Sequence, residues 1–302
     1  MLHIIYNGLL LDHILKDVDA HKISVKLNKG WIVRILRKVL YRNIKYIPFI
    51  RSHIYRKNIY NELRQVHQGD IVLVLDRILP SELWSIRNSI PRECKCIMWF
   101  WNPLRKTYRI SDIEANLNFI KSLDYTIFTF DLSDAQKYNI GYKHQFGKMP
   151  TDSEIPICKP STDFYFMGAT KDRADDISYV KKLLEENGFT TDFHCIRNSN
   201  DYMSYDDNIS NIVRSKCIVD INQKTQVGLT MRPIEALFYR KKLLTNNLAI
   251  RNYNFYREQN IFILGHDSND RLYSFLNTPY EVIPYNIVEE YDINYWLRDF
   301  YI

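Results

Sequence analysis

Short apolar runs alternate with amphipathic helical segments along most of the chain. In the first half, four apolar runs predict buried strands at Leu2–Asn7, Ile71–Asp76, Cys96–Trp101 and Tyr125–Phe130. Segments with the apolar spacing of a helix lie between them, at Tyr55–His67, Ser81–Ser89 and Ser111–Ser122. Strands that alternate with helices in this way are typical of a parallel sheet that helices cover on both faces.

The second half repeats this pattern. It predicts strands and helices in alternation at Phe164–Gly168, Asp175–Asn187, Thr190–Ile196, Tyr205–Ser215, Cys217–Ile221 and Lys242–Asn246. Between the halves, residues 146–156 are mostly polar and contain two prolines, which is typical of a linker. A chain of 302 residues is long enough for two domains of roughly 150 residues. We therefore predict an α/β protein with two Rossmann-like domains, residues 1–150 and 157–302, that face each other across a cleft.

The most informative stretch begins at Gly228. A glycine turn is followed by a short helical segment that carries Arg232 and Glu235 on one face, and then by an apolar strand. The N–H groups at the beginning of a helix can bind a phosphate, and an acidic side chain one turn later can accept the hydroxyl groups of a ribose. The stretch therefore predicts a nucleotide site. Arg232 can alternatively pair with Glu235, three positions later, as a contact on the helix surface.

Residues 228–247 also resemble a family, the bacterial surface-polysaccharide glycosyltransferases with two Rossmann-like domains, known as the GT-B type. The resemblance extends over most of the chain, and it is specific from about Phe164 to Asn247 and loose before that. In that family a glycine loop, a helix containing Glu-Ala and a short strand bind the nucleotide of a sugar donor. The resemblance implies that Glu235 binds the ribose. It also implies a diphosphate loop that contains Gly228, Leu229, Thr230 and Arg232. The family's usual partner glutamate stands eight positions earlier, where this chain has Val227.

Two other places in the second half offer contacts to a nucleotide. At the first strand-to-helix turn, Gly168 is followed by Lys171 and Arg173, two cations that can face a diphosphate together with backbone N–H groups. An ordinary surface loop is the alternative. After a later strand, Asn222 and Gln226 offer amide groups to a base or to a sugar hydroxyl.

The general base for the sugar transfer is expected in the first half. Asp12 and His13 follow the first predicted strand, from which side chains can reach the cleft. Asp76 and Asp131 end two further predicted strands and compete for the same role. Each of these is equally a candidate for a helix cap or a loop hydrogen bond, since Asp is common just after a strand.

The net charge of +6 is concentrated in one segment. Residues 22–57 contain eleven Lys or Arg and no Asp or Glu, so the rest of the chain carries −5. Within this basic segment, Trp31–Leu40 alternates apolar and cationic residues at helical spacing, which is typical of a helix on an anionic membrane surface. A solvated basic face and a nucleic-acid-binding patch are the alternatives, and no recognised nucleic-acid module accompanies the charge.

Together with the resemblance, these features predict a glycosyltransferase. It would move a sugar from a nucleotide-sugar donor to a lipopolysaccharide, capsule or other surface glycan, with a glycan or lipid-linked glycan as acceptor. No apolar run approaches the roughly 20 residues that span a bilayer, and Met1–Gly8 is typical of a first strand and turn, not of a secretory signal. We expect a cytoplasmic protein that is peripheral to the inner membrane. Neither the cysteines nor the histidines have metal-ligand spacing, and we expect no metal, no other cofactor and no nucleic-acid partner.

Two other functions stay open. A nucleotide-sugar epimerase or reductase would require a glycine-rich fingerprint after the first strand, where Gly8 stands alone. A non-catalytic basic protein that binds lipid or nucleic acid would keep the basic segment on a degenerate transferase fold.

Overall fold

The computed structural model describes residues 1–25, 31, 35, 58–75, 80–156, 158–198, 201, 203–223 and 228–301. The chain divides into two compact units. Unit 1 comprises Met1–Lys143 together with Arg298–Ile302, and unit 2 comprises His144–Leu297. Each unit contains one parallel sheet with helices in the connections, so the predicted α/β class is confirmed, and the architecture is compatible with two Rossmann-like domains.

The sheet of unit 1 has six strands in the described part of the chain. They are β1 (Leu2–Tyr6), β2 (His21–Ser24), β3 (Ile71–Leu75), β4 (Lys95–Phe100), β5 (Tyr125–Thr129) and β6 (Gly141–Tyr142). Their order across the sheet is β2-β1-β3-β4-β5-β6, and each neighbouring pair is parallel. β3 and β4 are buried along almost their whole length. Their continuous apolar sequences are what a strand covered on both faces requires.

Six α-helices of unit 1 lie among the described residues. They are α1 (Leu9–Ile14), α2 (Asn58–Leu63), α3 (Pro80–Arg87), α4 (Leu104–Thr107), α5 (Ile113–Ser122) and α6 (Leu132–Tyr138). The amphipathic spacing places Ile113, Leu117 and Ile120 of α5 in the core, one helical turn apart. The same cluster contains Val72 and Val74 of β3, so the helix packs on the sheet.

A chain of titratable side chains crosses the beginnings of the first strands in unit 1. His3 is fully buried. Its Nε2 lies 2.9 Å from Asp70 Oδ2, and its Nδ1 lies 2.9 Å from Nδ1 of His21. His21 Nε2 lies 2.8 Å from Glu62 Oε2. These contacts tie β1 to β2, to α2 and to the residue before β3.

Unit 2 has five strands among the described residues. They are β7 (Thr162–Ala169), β8 (Thr191–Ile196), β9 (Ser215–Asp220), β10 (Lys242–Thr245) and β11 (Ile261–Ile263). They are parallel and follow the order β11-β10-β9-β7-β8. The helices are α7 (Ala174–Glu186), α8 (Tyr205–Arg214), α9 (Met231–Phe238), α10 (Leu272–Asn277), α11 (Tyr285–Glu289) and α12 (Ile293–Leu297).

Both sheets have the same kind of strand order. In unit 1, β1 lies between β2 and β3, and in unit 2, β7 lies between β8 and β9. The direction in which the chain winds across the sheet therefore reverses beside β1 and beside β7. Ligands of open parallel sheets bind outside the carboxyl ends of the strands at such switch points. The two places to examine are consequently the ends of β1 and β3 and the ends of β7 and β9.

Most predicted strands and helices are confirmed to within a few residues at each end. The sequence missed β2, β6 and β11, which have only two to four residues each, so their apolar signal is short. Residues 146–156, interpreted as a linker, begin inside unit 2: Phe146 is fully buried against Trp296, and Gly147 exchanges backbone hydrogen bonds with Tyr291 and Ile293.

The basic segment is described only at residues 22–25, 31 and 35. There Trp31 and Ile35, one helical turn apart, are 69% and 50% exposed. Among the helices that the structure describes, none combines the length and the apolar character that crossing a membrane requires.

Candidate anion-binding site

The switch point of unit 2 holds two arginine side chains. Arg173 follows β7 in a short 3-10 turn, Lys171–Arg173, and its side chain folds back over the end of the strand. Its Nε donates to Ala169 O at 3.0 Å and its Nη1 donates to Ile221 O, just after β9. These two hydrogen bonds join the end of β7 to the residue after β9, and Arg173 is only 6% exposed.

Arg232 reaches the same place from the first turn of α9. Its Nε donates to Met167 O in β7 at 2.8 Å, and its Nη1 lies 3.3 Å from Asp220 Oδ1. The side chain is 15% exposed. Both guanidinium groups lie over the ring of Phe166, with their central carbons 5.1 Å (Arg232) and 5.7 Å (Arg173) from the ring centroid. Two residues that are 59 positions apart in the sequence thus form one pair, which we call the arginine pair.

Gly168 makes room for the arginine pair. A Cβ atom at this position would lie closer than 3.0 Å to Nη2 of Arg232 and also to Nη2 of Arg173. Contacts that short do not occur, so any larger residue would displace both guanidinium groups. Gly168, the residue before the last of β7, therefore makes space for the side chains around it, and it has no positive φ angle.

The arginine pair brings two like charges together in a largely buried place. Burial lowers the pKa of Arg173 to about 10, and the charge of Arg232 acts in the same direction, while Asp220 and Asp172 oppose the shift. Apart from the Asp220 carboxylate, the recorded partners of the pair are neutral backbone carbonyls. A site of this kind favours an anion, and a planar guanidinium matches the oxygen atoms of a phosphate in particular.

Asp220, which the sequence analysis did not select, is the acidic member of this site. It ends β9 and is fully buried, and it accepts hydrogen bonds from Thr230 Oγ1 at 2.8 Å and from Thr245 Oγ1 at 3.1 Å. With Arg232, the carboxylate has three side-chain partners on two segments, the beginning of α9 and the end of β10. An Asp at the end of a predicted strand, next to the switch point, was the signal that could have identified it.

The beginning of α9 lies beside the same carboxylate. Thr230 is the N-cap residue, and its Oγ1 accepts from Arg232 N at 3.3 Å. Leu229, predicted as part of a diphosphate loop, is 1% exposed and belongs to the hydrophobic core. Gly228 is buried next to it. The cap hydroxyl thus connects the helix beginning to Asp220 and through it to the arginine pair.

Of three further predicted contacts, Asn222 is described in full, Lys171 in part and Gln226 not at all. Gln226 lies outside the described residues, and so does the side chain of Lys171, whose backbone is in the turn after β7. Asn222 follows β9 and is 4% exposed. Its backbone N–H donates to Asn246 Oδ1 at 2.7 Å, which fixes the loop after β9 to the residue after β10.

Glu235 makes its hydrogen bonds to α8. It is 6% exposed, accepts from Asn208 Nδ2 at 3.2 Å and shares a hydrogen bond with Tyr205. The Tyr165 hydroxyl donates to Asn208 Oδ1 at 2.8 Å and extends this network to β7. Burial raises the pKa of Glu235, against the charge of Arg232 and these hydrogen bonds. In this structure the side chain links α9 to α8, and the ribose-binding role stays a prediction.

The four candidates for a general base belong to unit 1. Asp12 is exposed in α1, after β1, and its Oδ1 accepts from the Tyr6 hydroxyl at 2.7 Å, while His13 is half-buried beside it. Asp76, which follows β3, lies outside the described residues. Asp131 is 1% exposed and caps α6, accepting from Ser133 N, Ser133 Oγ and Asp134 N. For Asp131, the cap that the sequence left open as an alternative is present.

The predicted nucleotide contacts therefore fall into two groups. Gly168, Arg173 and Arg232 meet at the end of β7, with Thr230 connected to them through Asp220, whereas Glu235 and Leu229 contact other parts of unit 2. Within the residues that the structure describes, no group of three or more His, Cys, Asp or Glu side chains could hold a metal ion.

Comparison with known proteins adds no family to this geometry: neither a protein-family model nor a curated protein sequence matches the chain. Any functional conclusion therefore depends on the residues themselves.

Proposed function

We propose that this chain is a glycosyltransferase of the GT-B type that uses a nucleotide-sugar donor and a lipopolysaccharide, capsule or other surface glycan as acceptor. The observation that supports the proposal is the arginine pair around Gly168, at the switch point of a parallel sheet. The resemblance of residues 228–247 to the donor-binding element of these enzymes points to the same part of unit 2.

In this proposal the arginine pair binds the diphosphate of the donor. A departing nucleoside diphosphate gains negative charge as the sugar leaves, and cations that are already in position stabilise that charge without having to reorganise. The carbonyls of Met167, Ala169 and Ile221 hold both guanidinium groups in place. The cap of α9 adds a helix beginning, which favours an anion for the same electrostatic reason.

The general base belongs to the other switch point, at β1 and β3. There Asp12 is the candidate with an exposed carboxylate, and Tyr6 orients it by a hydrogen bond. Burial and the contact with Asp12 raise the pKa of Tyr6 to about 12, so the phenol stays a donor to the carboxylate. His13 and Asp76 remain the alternatives. The base would accept the proton of the acceptor hydroxyl as the new glycosidic bond forms.

Attachment to the inner membrane from the cytoplasmic side is part of the proposal, and the basic segment supports it. Its eleven cations, with exposed Trp31 and Ile35, suit an anionic lipid surface. Flotation of the full chain with vesicles that contain anionic lipid tests this step. Recovery of the protein at the bottom of the gradient would contradict it.

Binding and transfer by matched variants test the donor site. Wild-type protein is titrated by calorimetry with inorganic pyrophosphate and with a set of nucleoside diphosphates, and then incubated with nucleotide sugars and glycan acceptors. Arg173→Gln and Arg232→Gln each remove one cation from the pair, and we expect each to weaken pyrophosphate binding by about tenfold or more.

Arg257→Gln is the control. Arg257 precedes β11 in the same unit and forms an ion pair with Glu281, so this variant loses one positive charge outside the arginine pair. Equal affinity in all three variants would refute the site. Binding of nucleotides without sugar transfer to any acceptor would contradict the transferase activity and indicate a protein that only binds nucleotides.

A further inference from the structure

Asp220 is the only carboxylate recorded in hydrogen-bond or ion-pair contact with the arginine pair among the described residues. It lies 3.3 Å from Arg232 and accepts from the hydroxyls of Thr230 and Thr245. No part of it is exposed, so solvent screens its charge poorly. A buried carboxylate beside a proposed phosphate site repels the ligand, and this cost requires an explanation.

The charges at this place can be counted. Arg173 and Arg232 contribute two positive charges, and Asp220 contributes one negative charge. The two threonine hydroxyls and the carbonyls of Met167, Ala169 and Ile221 are neutral. Asp172 also acts on Arg173, but its side chain is exposed and water screens it. The groups in direct contact therefore leave one positive charge, which is less than two arginines would offer by themselves. The buried Glu235 carboxyl, which also interacts electrostatically with Arg232 and Asp220, lowers this charge further whenever it is ionised.

This count separates two kinds of diphosphate. In a nucleotide sugar each phosphorus is esterified on its outer side and carries one negative charge. In the free nucleoside diphosphate the terminal phosphate has a second ionisation near pH 6 and carries nearly two charges at neutral pH. A fixed negative charge in the site therefore weakens binding of the free diphosphate more than binding of the esterified one.

We propose that Asp220 is a positioning residue that sets the charge preference of the site: it orients Arg232 and, by its own charge, disfavours the nucleoside diphosphate relative to the nucleotide sugar. This inference rests on the proposed donor site. It assigns to Asp220 the release of the more highly charged product. The carboxylate acts through Arg232 and through its electrostatic potential and takes no part in bond making.

Asp220→Asn tests the inference, because the amide keeps the size of the side chain and one acceptor oxygen while it loses the charge. The probes are inorganic pyrophosphate and pyrophosphate methylated at both ends, which carries one charge on each phosphorus. From Coulomb's law for charges a few ångströms apart, we expect Asp220→Asn to bind inorganic pyrophosphate about tenfold more tightly and the dimethyl ester about fivefold more tightly. Unchanged or weaker binding of inorganic pyrophosphate would overturn the inference.

Two further measurements separate charge from geometry. Thr245→Val removes one hydrogen bond to Asp220 without changing the charge, and we expect no gain in affinity for either probe. A gain equal to that of Asp220→Asn would show that loosening the carboxylate, and not its charge, is responsible. If Asp220→Asn fails to fold, Asp220→Ser replaces it, because serine also removes the charge while keeping a hydroxyl; binding of inorganic pyrophosphate no tighter than in the wild type would overturn the inference.

The outcomes also distinguish this inference from the proposed function. If wild-type protein binds neither probe, the donor site itself is refuted and the role of Asp220 falls with it. If wild-type protein binds both probes and Asp220→Asn does not bind inorganic pyrophosphate more tightly, the donor site stands and the role of Asp220 alone is refuted.

Discussion

Replacing Glu235 by alanine removes the carboxylate that links two helices of unit 2. The side chain is 6% exposed and contacts Asn208 and Tyr205 of α8. Asn208 is in turn held by the hydroxyl of Tyr165 in β7. The truncation therefore takes the partner away from one buried donor, Asn208, and one half-buried donor, Tyr205, and it loosens a third contact behind them.

The magnitude follows from these contacts. A buried donor that loses its partner costs about 1–3 kcal/mol, and a half-buried donor costs less because water can replace the partner, so the expected loss is about 2–4 kcal/mol. A natural domain has a free energy of unfolding of roughly 5–15 kcal/mol, and the loss is a large fraction of it. Glu235→Gln keeps the size of the side chain and an acceptor oxygen. Burial raises the pKa of Glu235 and so disfavours its charged form. We therefore expect the change to an uncharged amide to lower the free energy of unfolding by about 1 kcal/mol or less.

Urea unfolding followed by tryptophan fluorescence and far-ultraviolet circular dichroism measures both variants. We expect a clearly lower midpoint for Glu235→Ala and a midpoint near that of the wild type for Glu235→Gln. A midpoint for the alanine variant that equals the wild type would refute the structural role. The glutamine variant also tests the ribose contact: retained pyrophosphate affinity with lost affinity for nucleoside diphosphates would show that the carboxylate binds the ribose.

Two more predictions concern pH and the glycine of the anion site. Burial lowers the pKa of His3 against the hydrogen bond and charge of Asp70, so the unfolded state binds a proton more readily and the free energy of unfolding falls as the pH drops through about 6.5. Burial alone would raise the pKa of Asp70, but its hydrogen bonds outweigh burial and hold the pKa well below its usual range, so Asp70 does not titrate between about pH 5.5 and about pH 7. The urea midpoints at these two pH values should therefore differ less in His3→Gln than in the wild type. An equal difference would contradict this reasoning. Gly168→Ala brings a Cβ atom against the guanidinium groups of Arg173 and Arg232. We expect calorimetry to show about tenfold weaker pyrophosphate binding, while the circular dichroism spectrum stays unchanged. Full affinity would exclude the arginine pair as the group that binds pyrophosphate.

The sequence predicted the parallel sheets because their strands are long, apolar and regularly separated by helices. β3 and β4 are buried on both faces, and such strands have few polar positions that could confuse the pattern. It did not predict β6 or β11, because strands of two or three residues are too short to show a period. The interpretation of residues 146–156 as a linker overlooked Phe146, whose burial against Trp296 depends on a contact 150 positions away.

The contacts within the candidate site could also not be predicted from the sequence. Cations soon after a strand could be selected from the sequence, since a residue that follows a strand of a parallel sheet lies at the carboxyl edge whatever its partners are. Which side chains it meets there depends on strand order. Only the adjacency of β7 and β9 brings Arg173 to Ile221 and Arg232 to Met167, and only that adjacency places Asp220 beside them.

Glu235 illustrates the complementary error. Arg232 and Glu235 are three positions apart on one helix, so a pattern of spacing assigns both to one surface. The structure sends the arginine over the end of β7 and the glutamate toward α8, because α9 is covered on more than one side and six of its eight residues are buried. A shared helical face therefore indicates a shared site only when one side of the helix is open. The charge preference assigned to Asp220 avoids this ambiguity, since it depends on recorded contacts between side chains and not on spacing.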